Sequence, residues 1–110
     1  MSPRTAWLVL FVAGLFEAGW AVGLEYSDGL TNAKPTVALL VSMAISVVLL
    51  AKAVETLPVG TAYAVWTGIG AVSTAIAGMY LFDEPATLAR LFFVAVVVAG
   101  VAGLQFVSSA

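Results

Sequence analysis

Four long apolar runs, separated by three short polar breaks, organise the chain. They extend from Ala6 to Leu24, Pro35 to Ala51, Leu57 to Phe82, and Leu91 to Val107. Each is close to the roughly 20 residues that a helix needs to cross about 30 Å of hydrocarbon. The pattern predicts four transmembrane helices over about residues 5–25, 35–54, 58–82 and 87–107. The breaks carry turn chemistry. Ser27, Asp28 and Gly29, followed by Lys34 and Pro35, mark the first, and Asp83-Glu84-Pro85 marks the third. Pro58 opens the third helix, where the missing backbone N–H costs nothing. The expected architecture is all-α, one four-helix transmembrane domain spanning residues 1–110, with too little chain left over for anything large outside the bilayer. Arg4 ahead of the first run resembles the start of a secretory signal. The length of that run and the absence of a small-residue cleavage site favour a retained helix.

Composition strengthens this reading: 63% of the 110 residues are hydrophobic and 9% are charged, far too apolar for a soluble domain of this size. Cysteine and histidine are both absent, which removes disulfides, thiolate chemistry and imidazole metal sites. The expectation is a chain that is not an enzyme and uses no cofactor. A net charge of -2 gives no reason to expect a nucleic-acid partner.

The basic residues bear on orientation. In a four-crossing chain Arg4 and Lys52 lie on one side of the membrane, and Lys34 and Arg90 on the other. The lysine and arginine bias that normally orients a membrane protein is therefore absent. The balance predicts a chain that inserts either way up and pairs with its own inverted copy as an antiparallel homodimer. Larger transporters carry the same symmetry between repeats within one chain.

One charge does not follow the pattern. Nine of the ten charged residues lie at or near helix ends, whereas Glu17 sits in the middle of the first apolar run. A lone carboxylate at that depth costs about 3 kcal/mol or more, so it is expected to face a bundle interior or a wet cavity, and it marks a functional site. No basic residue is deep enough to pair with it. It is the one group inside the membrane suited to carry a proton. A cation entering the same cavity competes with that proton for the carboxylate, the minimum physics of an antiporter.

Gly14, Glu17 and Trp20, three apart, share a helix face with Ala13 and Ala21, so that small residues leave room and an aromatic ring offers a surface that favours cations. Tyr63 and Trp66 share a face on the third helix. Gly68 and Gly70 weaken that helix locally and serve either as a hinge or for close packing. Ser42 and Ser46 lie one turn apart on the second helix, where a membrane serine usually bonds its own helix backbone. Gly100 and Gly103 make a small-residue surface on the fourth, suited to helix association.

AGLFEAGWAVGL (Ala13 to Leu24), the turn at Gly29, LPVGTAYAVWTGIGAV (Leu57 to Val72) and the pair Gly100-Val101 resemble the small multidrug resistance family of proton-coupled cation exporters, over essentially the whole chain. Trp20 and the string GTAYAVWTGIGA resemble its guanidinium exporter branch. The resemblance implies an antiparallel homodimer in a prokaryotic inner membrane, exchanging guanidinium for protons by alternating access. It implies that Glu17 is the essential carboxylate, with Gly14 a small residue beside it and Trp20 the first-helix tryptophan. Ser46 is implied to hydrogen-bond Glu17, Tyr63 and Trp66 to line the site, and Gly100 to lie in the dimer interface.

The chain departs from the branch at four positions: Glu25 stands where lysine is usual, Asn32 replaces a basic residue, Lys52 an apolar or aromatic one, and Phe93 a glycine found in some relatives. Two other readings remain open at this stage. One is broad export of quaternary ammonium and other hydrophobic cations. The other is a non-transporting membrane subunit, or one member of a pair of unlike subunits.

Overall fold

A computed structural model describes residues 1–108. It contains four α-helices in chain order: α1 Pro3–Tyr26, α2 Ala33–Ala53, α3 Val59–Leu81 and α4 Leu88–Ser108. Each is long and apolar enough to cross a membrane. At about 1.5 Å per residue the shortest, of 21 residues, reaches about 31 Å, a close match to the hydrocarbon thickness. The expectation of an all-helical chain with four spanning helices holds.

Local chemistry sets the ends. Ser2 caps α1 by accepting the Thr5 N–H at 3.2 Å, and Pro3 follows at the first helical position, so the helix starts earlier than the apolar run. At the first turn Asp28, Gly29 and Leu30 all have positive φ, 49°, 68° and 70°. Glycine meets that demand without steric cost, whereas Leu30 bears strain of the kind that the surrounding turn must hold. Ser27 holds it: fully buried, it donates to the Leu24 carbonyl at 2.8 Å and accepts the Leu30 N–H at 3.1 Å. Pro58 occupies the cap position of α3. In the third turn Arg90 donates to the Pro85 carbonyl at 2.7 Å and approaches the Glu84 carboxylate at 3.4 Å, and the Glu84 carboxylate lies against Gly78.

The helices are not equivalent. α1 packs closely on both α2 and α3, whereas α4 packs closely on α3 alone. The result is thin, 43 × 34 × 17 Å. The core gathers Ala6 and Leu10 of α1, Ala53 of α2, Leu57, and Ala62 and Val65 of α3. Alanines make half of it, as expected where helices approach closely without a hydrophobic driving force from water. Glycines on two faces of α1 permit the approach. A Cβ on Gly14 would strike Ile69 of α3 at 2.5 Å, and Cβ atoms on Gly19 and Gly23 would strike Ser42 and Leu39 of α2 at 2.6 and 2.7 Å. No residue of α4 is buried.

Candidate functional site

α1 places Glu17 against α3, as the face shared with Gly14 requires. The carboxyl group lies in a notch above the Gly70 backbone, where a Cβ would stand 2.5 Å from Glu17 Cδ and Oε1. Any side chain at position 70 therefore competes with the carboxyl group for space. Glu17 Oε2 is enclosed by protein and accepts no hydrogen bond. The ion pairs among the described residues are Lys52 with Glu55 and Arg90 with Glu84, both outside the apolar spans, so no cation of the chain faces Glu17.

Ser46 joins the three inner helices. Fully buried on α2, it donates to the Ala13 carbonyl of α1 at 2.6 Å and accepts from Trp66 Nε1 of α3 at 2.9 Å. Ser42, one turn away, donates to the Phe16 carbonyl at 2.8 Å. Both hydroxyls therefore reach across to α1 instead of bonding their own helix, because Gly19 and the small residues of α1 bring its backbone within reach. The Ala13 carbonyl is the one that accepts the Glu17 N–H in a regular α-helix, so Ser46 grips the turn that carries the carboxylate. The hydrogen bond expected between Ser46 and Glu17 is not made here, since the single hydroxyl proton is committed to Ala13.

Tyr63 and Trp66 pack with ring centroids 5.5 Å apart and planes tilted by 51°, an arrangement aromatic pairs favour. Tyr63 is mostly exposed and its hydroxyl makes no bond to Glu17. Trp20 is half-buried one turn beyond Glu17. Gly14 abuts Ile69 and the Trp66 carbonyl instead of the carboxylate itself. α3 is an unbroken helix through Gly68 and Gly70, and in this conformation both serve close approach, Gly68 to Val101 of α4 and Gly70 to Glu17. A Cβ on Gly100 would meet nothing within 4 Å among the described residues.

The structure thus joins Glu17 to Gly70, and Ser46 to Trp66, with Trp66 packed at a tilt against Tyr63, and leaves Trp20 and Gly100 outside these contacts. Sequence reasoning did not single out Gly19 and Gly23. Their signal was present, a glycine pair four apart on an apolar helix. Among the described residues no three acidic side chains come together to hold a metal ion.

Fold and site together define a multi-pass membrane protein with a solitary carboxylate embedded between two of its helices. The sequence model described as Small Multidrug Resistance protein matches residues 5–97, and the chain belongs to that family, one of transporters and not of enzymes. It is similar to a guanidinium exporter of Yersinia pseudotuberculosis, 53% identical over 103 residues that cover 94% of this chain and 99% of the relative. Guanidinium exporters of Citrobacter freundii and Salmonella typhimurium are each 50% identical over 100 residues, 91% of this chain and 95% of theirs.

Proposed function

We propose that this chain exports guanidinium in exchange for protons, with Glu17 as the group that holds either one. The observation that carries this reading is the Glu17 carboxyl group, inside an apolar span and, among the described residues, without an ion-pair partner and with Oε2 accepting no hydrogen bond. A charge stranded in this way is costly unless something arrives to neutralise it, and a proton or a cation does so equally. The relatives' substrate fits the geometry. Guanidinium is planar and donates in forked pairs that match a carboxylate, and its faces suit aromatic walls such as Tyr63 and Trp66. A quaternary ammonium ion carries the same charge but has no donor for Glu17, so it forfeits the forked hydrogen bonds.

A transport cycle follows from exclusive occupancy. Guanidinium entering from one side displaces the proton, the loaded site reopens to the other side, and a proton displaces guanidinium there. Reorientation needs a deformable element, and Gly68 and Gly70 lower the cost of bending α3 next to the carboxylate. Gly14, Trp20, Ser46, Tyr63 and Trp66 make the remainder of the site, Ser46 by fixing the Glu17 turn and the Trp66 ring.

The working unit in this reading is an antiparallel homodimer in a prokaryotic inner membrane. α4 supports it, being apolar and, among the described residues, packed closely on α3 alone, with open space beside Gly100 for another helix. The even distribution of Arg4, Lys52, Lys34 and Arg90 supports the inverted arrangement. Purified chain in liposomes tests the proposal. Guanidinium should drive proton movement, tetraethylammonium little, and Glu17→Gln none. Flux with both cations would point to a broad exporter of hydrophobic cations, and silence with both to a missing unlike subunit or a non-transporting role.

A further inference from the structure

A second feature lies away from Glu17. A cleft of about 630 Å³ opens between the start of α1, the middle of α3 and the end of α4, within the range of about 300–1,000 Å³ typical of ligand pockets. It arises because α4 leans on α3 without reaching α1. Trp7 and Phe11 of α1, Ile69 of α3, and Val98 and Ala102 of α4 form apolar walls. Arg4 and Gln105 line the same cleft. Arg4 stands at the first turn of α1 and Gln105 in the last turn of α4, and alternating crossings put both at one membrane surface.

Both polar side chains are exposed, and Arg4 makes no ion pair among the described residues. Glu55, the acid on the loop at that membrane surface, is engaged by Lys52 at 4.0 Å. Trp7 Nε1 is enclosed by protein, so it offers nothing to a ligand and leaves polar recognition to Arg4 and Gln105. The cleft therefore has an apolar trough running into the bilayer and a cationic, hydrogen-bonding mouth at headgroup level. These are the two halves of a phospholipid.

We infer that this cleft binds an anionic phospholipid, with an acyl chain along Trp7 and Ala102 and the headgroup phosphate at Arg4 and Gln105. The inference rests on the dimer reading in one respect, that a second copy does not fill the cleft. Gly100 lies two residues from both Val98 and Ala102, about 160–200° around α4, so a partner helix seated on Gly100 approaches the opposite side. In an inverted dimer the two clefts open to opposite leaflets.

Trp7 supplies the reporter. The full-length chain is placed in phosphatidylcholine vesicles holding a small fraction of either brominated phosphatidylglycerol or brominated phosphatidylcholine, and tryptophan quenching is compared. Subtracting the Trp7→Phe signal isolates Trp7 from Trp20 and Trp66. Phosphatidylglycerol should be preferred roughly fivefold, which corresponds to about 1 kcal/mol for one basic residue at an anionic surface. Arg4→Gln should abolish the preference, and Ala102→Phe, which fills the trough, should reduce Trp7 quenching by both lipids.

Equal quenching of Trp7 by the two lipids overturns the inference, as does a preference that survives Arg4→Gln or Trp7 quenching that Ala102→Phe leaves unchanged. Weak quenching by either lipid means that protein covers the cleft, which also overturns it. Dimer formation, measured in the same vesicles by cross-linking, separates the two readings: a lipid preference in a monomeric chain removes the dimer and leaves the lipid site standing.

Discussion

α3 and α4 are neighbouring apolar helices of similar length, yet they are used differently. α3 is engaged on several faces: Gly70 receives Glu17, Trp66 donates to Ser46, Ala62 and Val65 are buried in the core, and Gly68 meets Val101. α4 has no fully buried residue, and among the described helices its backbone comes close to α3 alone. In water such a helix would be an unfinished core. In a bilayer lipid solvates it at no hydrophobic cost, so its loose attachment is stable and available for association. Apolarity alone therefore does not distinguish a helix that builds a site from one that awaits a partner. The distinction lies in which small residues are matched by a close neighbour within the chain.

The sharpest way to break this comparison is Glu17→Gln. It is expected to eliminate coupled exchange while leaving the dimer intact, since it removes titration and charge with almost no change in volume. Substantial proton-driven guanidinium uptake by this variant would sink the proposed role. The same variant exposes the pH dependence. Guanidinium binds the ionised carboxylate and not the protonated acid, so binding to the wild type should weaken as pH falls, whereas any residual binding to Glu17→Gln should not change with pH.

Next in size is Gly70→Ala. The added methyl group occupies the space held by the Glu17 carboxyl group. Overpacking costs about 1–3 kcal/mol if the neighbours must yield. We expect guanidinium affinity to fall at least tenfold by calorimetric titration while the helical content is unchanged. Unaltered affinity would show that the notch does not position the carboxylate.

Gly100→Leu examines the other side of the comparison. Nothing in the chain stands in the way of a side chain there, so the subunit should fold normally. Dimerisation in detergent should weaken about tenfold, equivalent to about 1.4 kcal/mol. Gly68→Ala is the internal counterpart, since its methyl group would strike Val101 and push α4 away from α3. If Gly100→Leu dimerises as well as the wild type, the interface is elsewhere.

The smallest expected effect is that of Ser46→Ala. It leaves the half-buried Trp66 Nε1 without its acceptor and frees the Ala13 carbonyl, at a cost of about 0.6 kcal/mol by thermal unfolding. A double-mutant cycle with Trp66→Phe should recover part of that loss, because the two side chains share one bond. Independent, additive losses would indicate that the bond contributes nothing.

Much of this was legible in the chain itself. The spacing of apolar runs dictated four spanning helices, because backbone groups in hydrocarbon must be satisfied within each segment. Glu17 was conspicuous because a carboxylate in that setting requires a reason. The turn at Gly29 was readable from its residue types. The partners of Ser42 and Ser46 were not, because a serine can bond its own helix or another, and the choice depends on how near the next backbone lies.

Gly70 shows the boundary most clearly. Residue types and their spacing put a flexible, small position in α3 and a carboxylate in α1. Helix packing set one over the other, held Ser46 by Ala13 and Trp66 instead of Glu17, and kept the α4 backbone away from α1 to leave a cleft. Helical periodicity specifies which residues share a face. The rotation and separation of neighbouring helices follow from the packing of all their side chains at once, and no single stretch of sequence contains that information.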